Sequence, residues 1–536
     1  MLAPANSPEI PARPRELATL WGSQGDGTFV NPIVPADFSD IDAIRVGSEY
    51  LAISSTLHMS PGMALLRSSD LINWRMVGHA VADVSSLDPL LSGRAMARYG
   101  RGVWAGALRR HDGRYHIFFT SPDTGLFMTS APAPEGPWQA PHCLWAVPGH
   151  DDPCPFWDDN QAWLVMTRFA GDPDPRMYTI FLYRMSMDGR SIDPASALAI
   201  ERGPGVEASK LYRIGEVYYL FFSEVKAEGR VAMCKRAKSL PDLARAEKVQ
   251  LNHVAPRIDK EPNQGAFVTD RMGDWWFLTH QGTGDWEGRA LCLLPVTWRD
   301  GWPIIGRVGP DGIGNMVWRM HEPPGVENSP LPDSSDDFSG PWLRPEWEWN
   351  HAPSAEAWSL SAKPGWLRLW SSAPVRPDFT GISNVLSQRA WRTASNEVRV
   401  CLNFEGMAPG QRAGLCHASR GFASIEVERS SADHTLAVRI GEAVSATLDL
   451  PVPGSGQVWL SSSWSHEGLA GFAYSADGQV FMPVGERFQL EWGHYRGDRV
   501  GLFTCGTAAS GFADFARFQY RIAKQDGGES RALRPA

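Results

Sequence analysis

The chain is short of the features that mark several large classes of protein. Its seven cysteines (Cys143, Cys154, Cys234, Cys292, Cys401, Cys416 and Cys505) are odd in number, widely spaced and never in a CxxC pair. Neither a disulfide framework nor a zinc site is indicated, and buried free thiols in a reducing compartment are expected. No run of about eighteen apolar residues occurs, so no helical span of a bilayer is expected. No HExxH or paired-histidine spacing is present, which leaves metal-dependent hydrolysis without recognisable ligands. Basic residues do not predominate: 51 Lys and Arg stand against 60 Asp and Glu, a net charge of −9. That balance repels polyphosphate and argues against nucleic-acid or anionic-membrane partners; an uncharged substrate fits better. Residues 1–23 carry Pro4, Pro8, Pro11 and Pro14 and hold no uninterrupted apolar stretch. No secretory leader is expected there, and a cytoplasmic location follows as an expectation. GPDGIGNM near residue 309 is glycine-rich but follows no βαβ pattern, a weak nucleotide signal.

What is abundant is equally informative. The 536 residues include 23 Trp, 23 Phe, 52 Gly and 41 Pro, a mix of aromatics and turn-formers that points to many short strands and to surfaces that stack on flat ligands. One unit recurs five times: an apolar or small strand, a tight polar turn, then a run of aromatics. The turns are Gly47 and Ser48 before EYLAIS, Asp112 and Gly113 before RYHIFF, Asp159 and Asn160 before QAWLVM, Gly215 and Glu216 before VYYLFF, and Gly273 and Asp274 before WWFLTH. Gly, Asn and Asp tolerate the positive φ that two-residue hairpin loops require. A further apolar strand follows each hairpin, and the turns recur every 47 to 65 residues. Four strands per unit at that period, with little helix signal, predict an all-β, five-bladed propeller over residues 29–325, preceded by an N-terminal segment, residues 1–28.

Counting back from each turn reaches the start of each blade's innermost strand, at the mouth of the channel. Asp40 stands seven before Gly47, Asp152 seven before Asp159, and Glu207 eight before Gly215. In the other two blades Trp104 stands eight before Asp112 and Gln264 nine before Gly273. Three acids, an aromatic and an amide thus converge on one axial pocket, as a sugar site needs: carboxylates for proton transfer, a flat face for stacking, an amide for hydroxyls.

Residues 326–334 fall in a stretch rich in Pro, Ser and Asp that reads as a linker. From 335 to 525 come short alternating segments such as WLRLWS, EVRVCLNF and QVWLSSSW, whose spacing suggests a jelly-roll-like β-sandwich. No cluster of catalytic residue types stands out there, so support or carbohydrate contact is its expected part. The last residues, 526–536, are expected to be a flexible tail.

NPIVPADFSDIDAIRVGSEYLAISS, followed by SPGMALLRSSDLINW, resembles glycoside hydrolase family 43, the β-xylosidases and α-L-arabinofuranosidases. The likeness continues through GVWAGALRRHDGRYHIFF, DDPCPFWDDNQAWLV, EASKLYRIGEVYYLFF, GDWWFLTH and RALCLLPVTWRDGWPIIG, and DDFSGPWLRPEWEWNHAP resembles the start of the β-sandwich that often follows. The resemblance implies an inverting mechanism with three essential acids: Asp40 as general base, Asp152 as the acid that tunes and orients, and Glu207 as general acid. Inversion needs two carboxyls about 6.5–9.5 Å apart, with water admitted beside the sugar. Glu207 has to hold its proton, and a nearby Asp152 carboxylate is a like charge that disfavours its ionisation. The substrate implied is an oligosaccharide ending in xylose or arabinofuranose. No cofactor is expected to be required; a structural calcium and a homo-oligomer are both compatible with the sequence.

Competing residues have to be weighed. Asp37 and Asp42 flank Asp40; if residues alternate along an extended strand, Asp42 points the same way as Asp40, and spacing alone does not choose between them. Asp151 is expected to face away from Asp152, Asp158 and Asp159 belong to a turn, and Glu201 reads as a solvated loop acid. Trp104 and Ala105 in VWAG match the family segment that lines the pocket, with plain core packing as the alternative for Trp104. Arg289 matches an arginine that reaches the pocket in relatives, against a structural salt bridge. Leu57 and His58, with Met59, lie on a loop where specificity is commonly set. Many relatives carry a pocket histidine where this chain has Asn263 and Gln264, and several push a phenylalanine from the sandwich into the pocket; here GLFTCGTAASGF, rich in small residues, reads as that stretch and implies a more open aglycone side. A retaining fructan or sucrose hydrolase would need an NDPNG-like motif and an acid in an EC pair, which are absent. A non-cleaving glycan-binding propeller remains the alternative from another class.

Overall fold

The computed structural model describes residues 13–254, 262–281, 285–327, 329–449, 456–506 and 511–523. The expected tail, residues 526–536, and the first twelve residues of the N-terminal segment lie outside this set. Five antiparallel sheets follow one another along the chain, the first four of four strands and the fifth of five, because Val34–Asp37 from ahead of the first sheet also pairs with Ala290–Arg299. Their first strands are Asp42–Val46, Gly106–His111, His150–Asp158, Glu207–Ile214 and Gly265–Thr269.

Four of the five opening hairpins close through the expected two-residue turns, pairing Val46 with Glu49, His111 with Arg114, Asp158 with Gln161 and Ile214 with Val217. Gly47 and Gly215 take positive φ there, as do Asp112 and Asp159. The fifth differs: Thr269 pairs with Trp275, leaving a longer loop over 270–274. Asp270 holds that loop, accepting the Met272 and Asp274 amides at 2.8 and 3.0 Å and the Trp276 indole at 3.0 Å. An Asx turn replaces the two-residue hairpin.

Alternation decides which neighbour each strand faces. In the second sheet Ile117 and Phe119 pack with Leu51 and Ile53 of the first, whereas Phe118 packs with Leu164 and Met166 of the third. Phe222 joins Val165 and Leu182, while Phe221 joins Phe277 and Leu294 of the fifth sheet. Ala52 and Leu66 of the first sheet share a cluster with Leu278 and Leu293 of the fifth. Both faces of the inner strands are therefore dry, which is why they read as near-continuous aromatic and aliphatic runs. Two expectations are corrected here. Glu201 is not a solvated loop acid; it lies in the strand Ile192–Pro204 and is paired with Lys235 at 2.8 Å and Lys248 at 2.9 Å. Six of the seven free cysteines are buried, but Cys143 is exposed.

Beyond the fifth sheet two larger sheets stack, one of eight and one of seven strands. Leu386, Leu415 and Leu502 of one meet Val400, Leu460 and Phe515 of the other in a core that continues into the first and fifth sheets through Trp391 and Trp21, whose rings lie 5.8 Å apart. The short strand Met59–Ser60, on the loop after the first hairpin, joins the eight-stranded sheet by pairing with Glu348–Asn350. Beside it, fully buried Glu348 meets Arg389 at 3.0 Å, Arg499 at 2.7 Å and His79 at 3.0 Å. The two halves thus share backbone pairing, apolar core and a buried ion cluster.

Candidate active site

Backbone strain brings the acids together. Asp40 and Asp152 have φ of 55° and 50°, and Ala208, next to Glu207, has 62°. Non-glycine residues in this left-handed region cost roughly 1–3 kcal/mol each and persist where surrounding structure demands them. The strand registers slip at the same places, between Asp151 and Cys154 and between Glu207 and Lys210. Side chains here escape simple alternation and turn toward one pocket. The third and fourth sheets are stitched at this point: Asp152 Oδ2 accepts the Ala208 amide at 2.7 Å, and Ser209 Oγ donates to the Asp152 carbonyl at 2.9 Å. Gln264 Nε2 donates to Asp152 Oδ1 at 2.8 Å, adding the fifth sheet.

Asp40 is buried, yet its carboxyl is held below the usual range. Burial alone would raise it; the charges of Arg289, His280 and Lys210 and the Ser55 hydroxyl outweigh that. Ser55 Oγ donates to Asp40 Oδ2 at 2.5 Å, and Arg289 Nη1 pairs with Oδ1. Arg289 is thereby both a salt-bridge partner and a pocket residue. Asp152 behaves oppositely, pushed up to about 7 by burial and by Glu207 and Asp40, against Lys210 and the Ala208 amide. Glu207 is instead paired with Arg230, whose Nη1 lies 3.0 Å from Oε1.

The rival acids fall into place. Asp42 accepts the Leu108 amide and Arg109 Nη1, both at 2.7 Å, and so clasps the first sheet to the second. Asp37 accepts the Arg289 amide at 3.0 Å, fixing that residue's backbone. Asp151 does not face away as alternation predicted. Its carboxyl accepts Thr120 Oγ1 at 2.9 Å, and burial together with Asp152, Asp40 and Glu207 pushes it well above the ordinary range.

Several site residues escaped sequence reasoning. Lys210, 1% exposed, donates Nζ to the Gly106 carbonyl at 3.2 Å and supplies positive charge to both Asp40 and Asp152. It sits inside EASKLY, where a buried lysine in an apolar strand was the available signal. His280, in FLTH, is buried and bears on Asp40 from the second strand of the fifth sheet, whereas the family resemblance implies a histidine at the place of Asn263 and Gln264. Arg230 left no such trace.

The walls are aromatic. Trp104 lies just ahead of Gly106–His111; its indole donates to the Gly100 carbonyl at 2.9 Å, and its ring stands 6.0 Å from Phe169 and 6.1 Å from Tyr495. Ala105 beside it is buried. Tyr495 comes from the sandwich, and Arg289 lies 5.8 Å over the ring of Trp492 on the same loop. The sandwich therefore does present rings to the pocket, from 492–495 rather than from GLFTCGTAASGF, of which 507–510 lie outside the described residues. His494 and Tyr495 both have positive φ, which no propensity reading finds.

Leu57 and His58 are not brought to the acids. Leu57 exchanges backbone hydrogen bonds with Val103 and is buried. His58 is fully buried, accepts the Gly100 amide at Nδ1 at 3.1 Å, and packs against Tyr99 and His351 at 4.7 and 4.9 Å. Among the described residues, no group of three or more His, Cys, Asp or Glu side chains is placed to hold a metal ion.

The chain is 32% identical to a beta-xylosidase of Formosa agariphila, over 93% of this chain and 91% of that one. It is 28% identical to the non-reducing end alpha-L-arabinofuranosidase of Bacteroides ovatus, over 67% and 68% of the two chains. The solved structure of xylan beta-1,4-xylosidase from Bacillus halodurans superposes with a TM-score of 0.79 at 23% identity, covering 92% of this chain and 99% of that one, a likeness of fold. Residues 335–521 match the beta xylosidase C-terminal concanavalin A-like domain. Residues 29–303, which span the five sheets as far as the start of the last strand, Trp302–Ile305, match the glycosyl hydrolases family 43, and the chain belongs to that family.

Proposed function

We propose that the chain is an inverting, exo-acting glycoside hydrolase that removes a terminal pentose, β-1,4-xylose or α-L-arabinofuranose, from hemicellulose-derived oligosaccharides. The reacting groups sit at the hub of a closed five-bladed propeller, a reading supported by the packing of each sheet on the next and of the first on the fifth. The relatives' names, β-xylosidase and arabinofuranosidase, support the pentose.

One observation carries the mechanism: three carboxyls are gathered at one site, Asp40 paired with Arg289 and held below the ordinary range, and Asp152 bound to the amide of Ala208, the residue after Glu207. Asp40, kept ionised by Arg289 and His280, takes a proton from water as that water attacks the anomeric carbon. Glu207 delivers a proton to the departing oxygen. Asp152 is fixed by Gln264 and the Ala208 amide, and its negative charge, when present, discourages loss of the Glu207 proton. Trp104 supplies a face for the sugar. The gathering of all three acids weighs against a non-cleaving glycan-binding role. A cytoplasmic location would favour short oligosaccharides over polymer.

Turnover of the p-nitrophenyl β-xyloside and α-L-arabinofuranoside, measured side by side, tests this reading, with the anomer first formed followed by NMR. Hydrolysis of at least one glycoside with inversion is expected. The Glu207→Ala variant should lose most activity on substrates with poor leaving groups and keep more on activated ones. Retention of configuration, or undiminished turnover of a poor leaving group by that variant, would overturn the assignment.

A further inference from the structure

We infer that Arg230 is a positioning residue for the proposed acid Glu207, holding its carboxyl in place and setting the pH at which the enzyme loses its acid. The inference rests on the reading of Glu207 given above. Arg230 lies near the start of the strand Gly229–Ala237, the third of the fourth sheet, opposite Val225 in the ladder. Its Nη1 lies 3.0 Å from Glu207 Oε1 and also donates to the Gly205 carbonyl at 2.5 Å and to Ser223 Oγ at 3.0 Å.

The last two contacts matter because they do not depend on the protonation of Glu207. The guanidinium stays where it is whether the carboxyl is charged or neutral, and it is charged at every accessible pH. The loop at Gly205 is built around it: the φ there is +52°, and a Cβ added at Gly205 would meet Arg230 Nη2 at 3.0 Å. The Arg230 side chain is 18% exposed and that of Glu207 29%, so water only partly screens the pair.

A general acid must carry its proton to work, and a fixed positive charge at hydrogen-bond distance favours the form without it. The charged and titratable groups around Glu207 are Arg230 on its own sheet and, from the third sheet, Asp152 and Asp151 on the first strand and Tyr178 on the third. The two aspartates discourage ionisation of Glu207 when they are charged; Arg230 offsets them. The balance between these groups places the alkaline limb of the pH–rate profile, and Arg230 is the member that keeps the limb low while aiming the carboxyl.

The test compares wild type with Arg230→Met, Arg230→Gln and Arg230→Lys, reading kcat/KM against pH on xylobiose or the matching arabinoside and on the p-nitrophenyl glycoside. The glutamine variant keeps a neutral polar side chain in this half-buried place, so it guards against misfolding of the methionine variant. In both neutral variants the alkaline limb is expected to move up by about 1 pH unit. At low pH, kcat/KM should fall about 3- to 30-fold on the poor leaving group and less on the activated one. Lysine should restore the limb to near its wild-type position. An unmoved limb in both neutral variants, an equal fall on both substrates without a shift, or a lysine variant that shifts as far as methionine would overturn the inference. Glu207→Gln on the same two substrates separates the causes: if it spares the poor leaving group, the acid itself is misassigned. If it abolishes that hydrolysis while the Arg230 variants leave the limb in place, only the part given to Arg230 fails.

Discussion

Gln264 reaches from the head of the fifth sheet to give its side-chain amide to Asp152 in the third, Nε2 to Oδ1 at 2.8 Å, while the Ala208 amide serves the other oxygen at 2.7 Å. A carboxyl that is fully buried and raised to about 7 is thus still held by two donors. The contact fixes which way Asp152 faces, and it shows that the amide found by counting residues acts on an acid of the site.

Asp152 is expected to work at the expense of stability. Its folded-state pKa lies above the unfolded value, so the stability it contributes is complete below about pH 4 and is lost as pH rises through about 7. Asp152→Asn should therefore gain on wild type as pH rises, by roughly 1–3 kcal/mol at pH 8, while kcat/KM falls steeply. Thermal unfolding at pH 4.5 and pH 8 checks this; a gap that does not widen with pH contradicts it.

Arg289 is the counter-case. It is the strongest of the influences that keep Asp40 below the usual carboxylate range. Without the guanidinium, Asp40 holds its proton more tightly, and the acidic limb of the kcat/KM profile should move to higher pH. Loss of a charge-assisted bond of about 1.5–3 kcal/mol corresponds to a fall of roughly 10- to 150-fold at the optimum. Arg289→Ala, assayed from pH 4 to 8, reads both effects.

Acid should loosen the contact between the two halves in two stages. His58, His351 and His494 are depressed by burial, His351 to about 3 and His494 to about 4. They stay neutral in the fold while their unfolded counterparts take up protons, so stability declines as pH falls below about 6.5. Glu348 is held far below the carboxylate range: burial works against it, but Arg389, Arg499 and His79 prevail. Its contribution is present above about pH 4.3 and is lost as pH falls further. Glu348→Gln leaves two buried arginines short of their anion and should cost about 3–5 kcal/mol at pH 7, seen as a lower Tm that converges on wild type in acid.

Tyr495 is 53% exposed and edge-on to Trp104. Its loss removes one ring from the sugar-facing wall and little from the core. Tyr495→Ala should raise KM for a disaccharide about 2- to 10-fold, the worth of one aromatic contact, with Tm nearly unchanged. A drop in Tm with KM unaltered would mean that the ring only braces Trp104.

Much of this site is legible in the sequence, and the reason is specific. A repeating hairpin marks its own turn with Gly, Asn or Asp, so the residue at the head of each inner strand is found by subtraction, and Asp40, Asp152, Glu207 and Gln264 were all reached in that way. Regular spacing misleads where the backbone leaves regular geometry. With φ of 50° at Asp152 the two-residue alternation no longer holds, and Asp151 joins the site instead of turning away. It fails also where a partner comes from far along the chain. Trp492 and Tyr495 lie on a sandwich loop with no periodic signal, and Arg230 is one arginine among many until folding sets it beside Glu207. His58 was drawn to the pocket by its loop, but the same loop supplies Met59–Ser60 to the other half, and the imidazole follows its backbone into that contact.

That small strand bears on how such a protein can be cut or recombined. Removing everything after the fifth sheet would strip Met59 and Ser60 of their backbone partners, bare the apolar side chains of the first and fifth sheets that share the sandwich core, and take away the ring beside Trp104. A truncated fragment would be prone to self-association and short of one wall of its sugar cavity. Exchanging the C-terminal half for that of a distant relative would meet the same obstacle, because the seam is woven by both polypeptide stretches together.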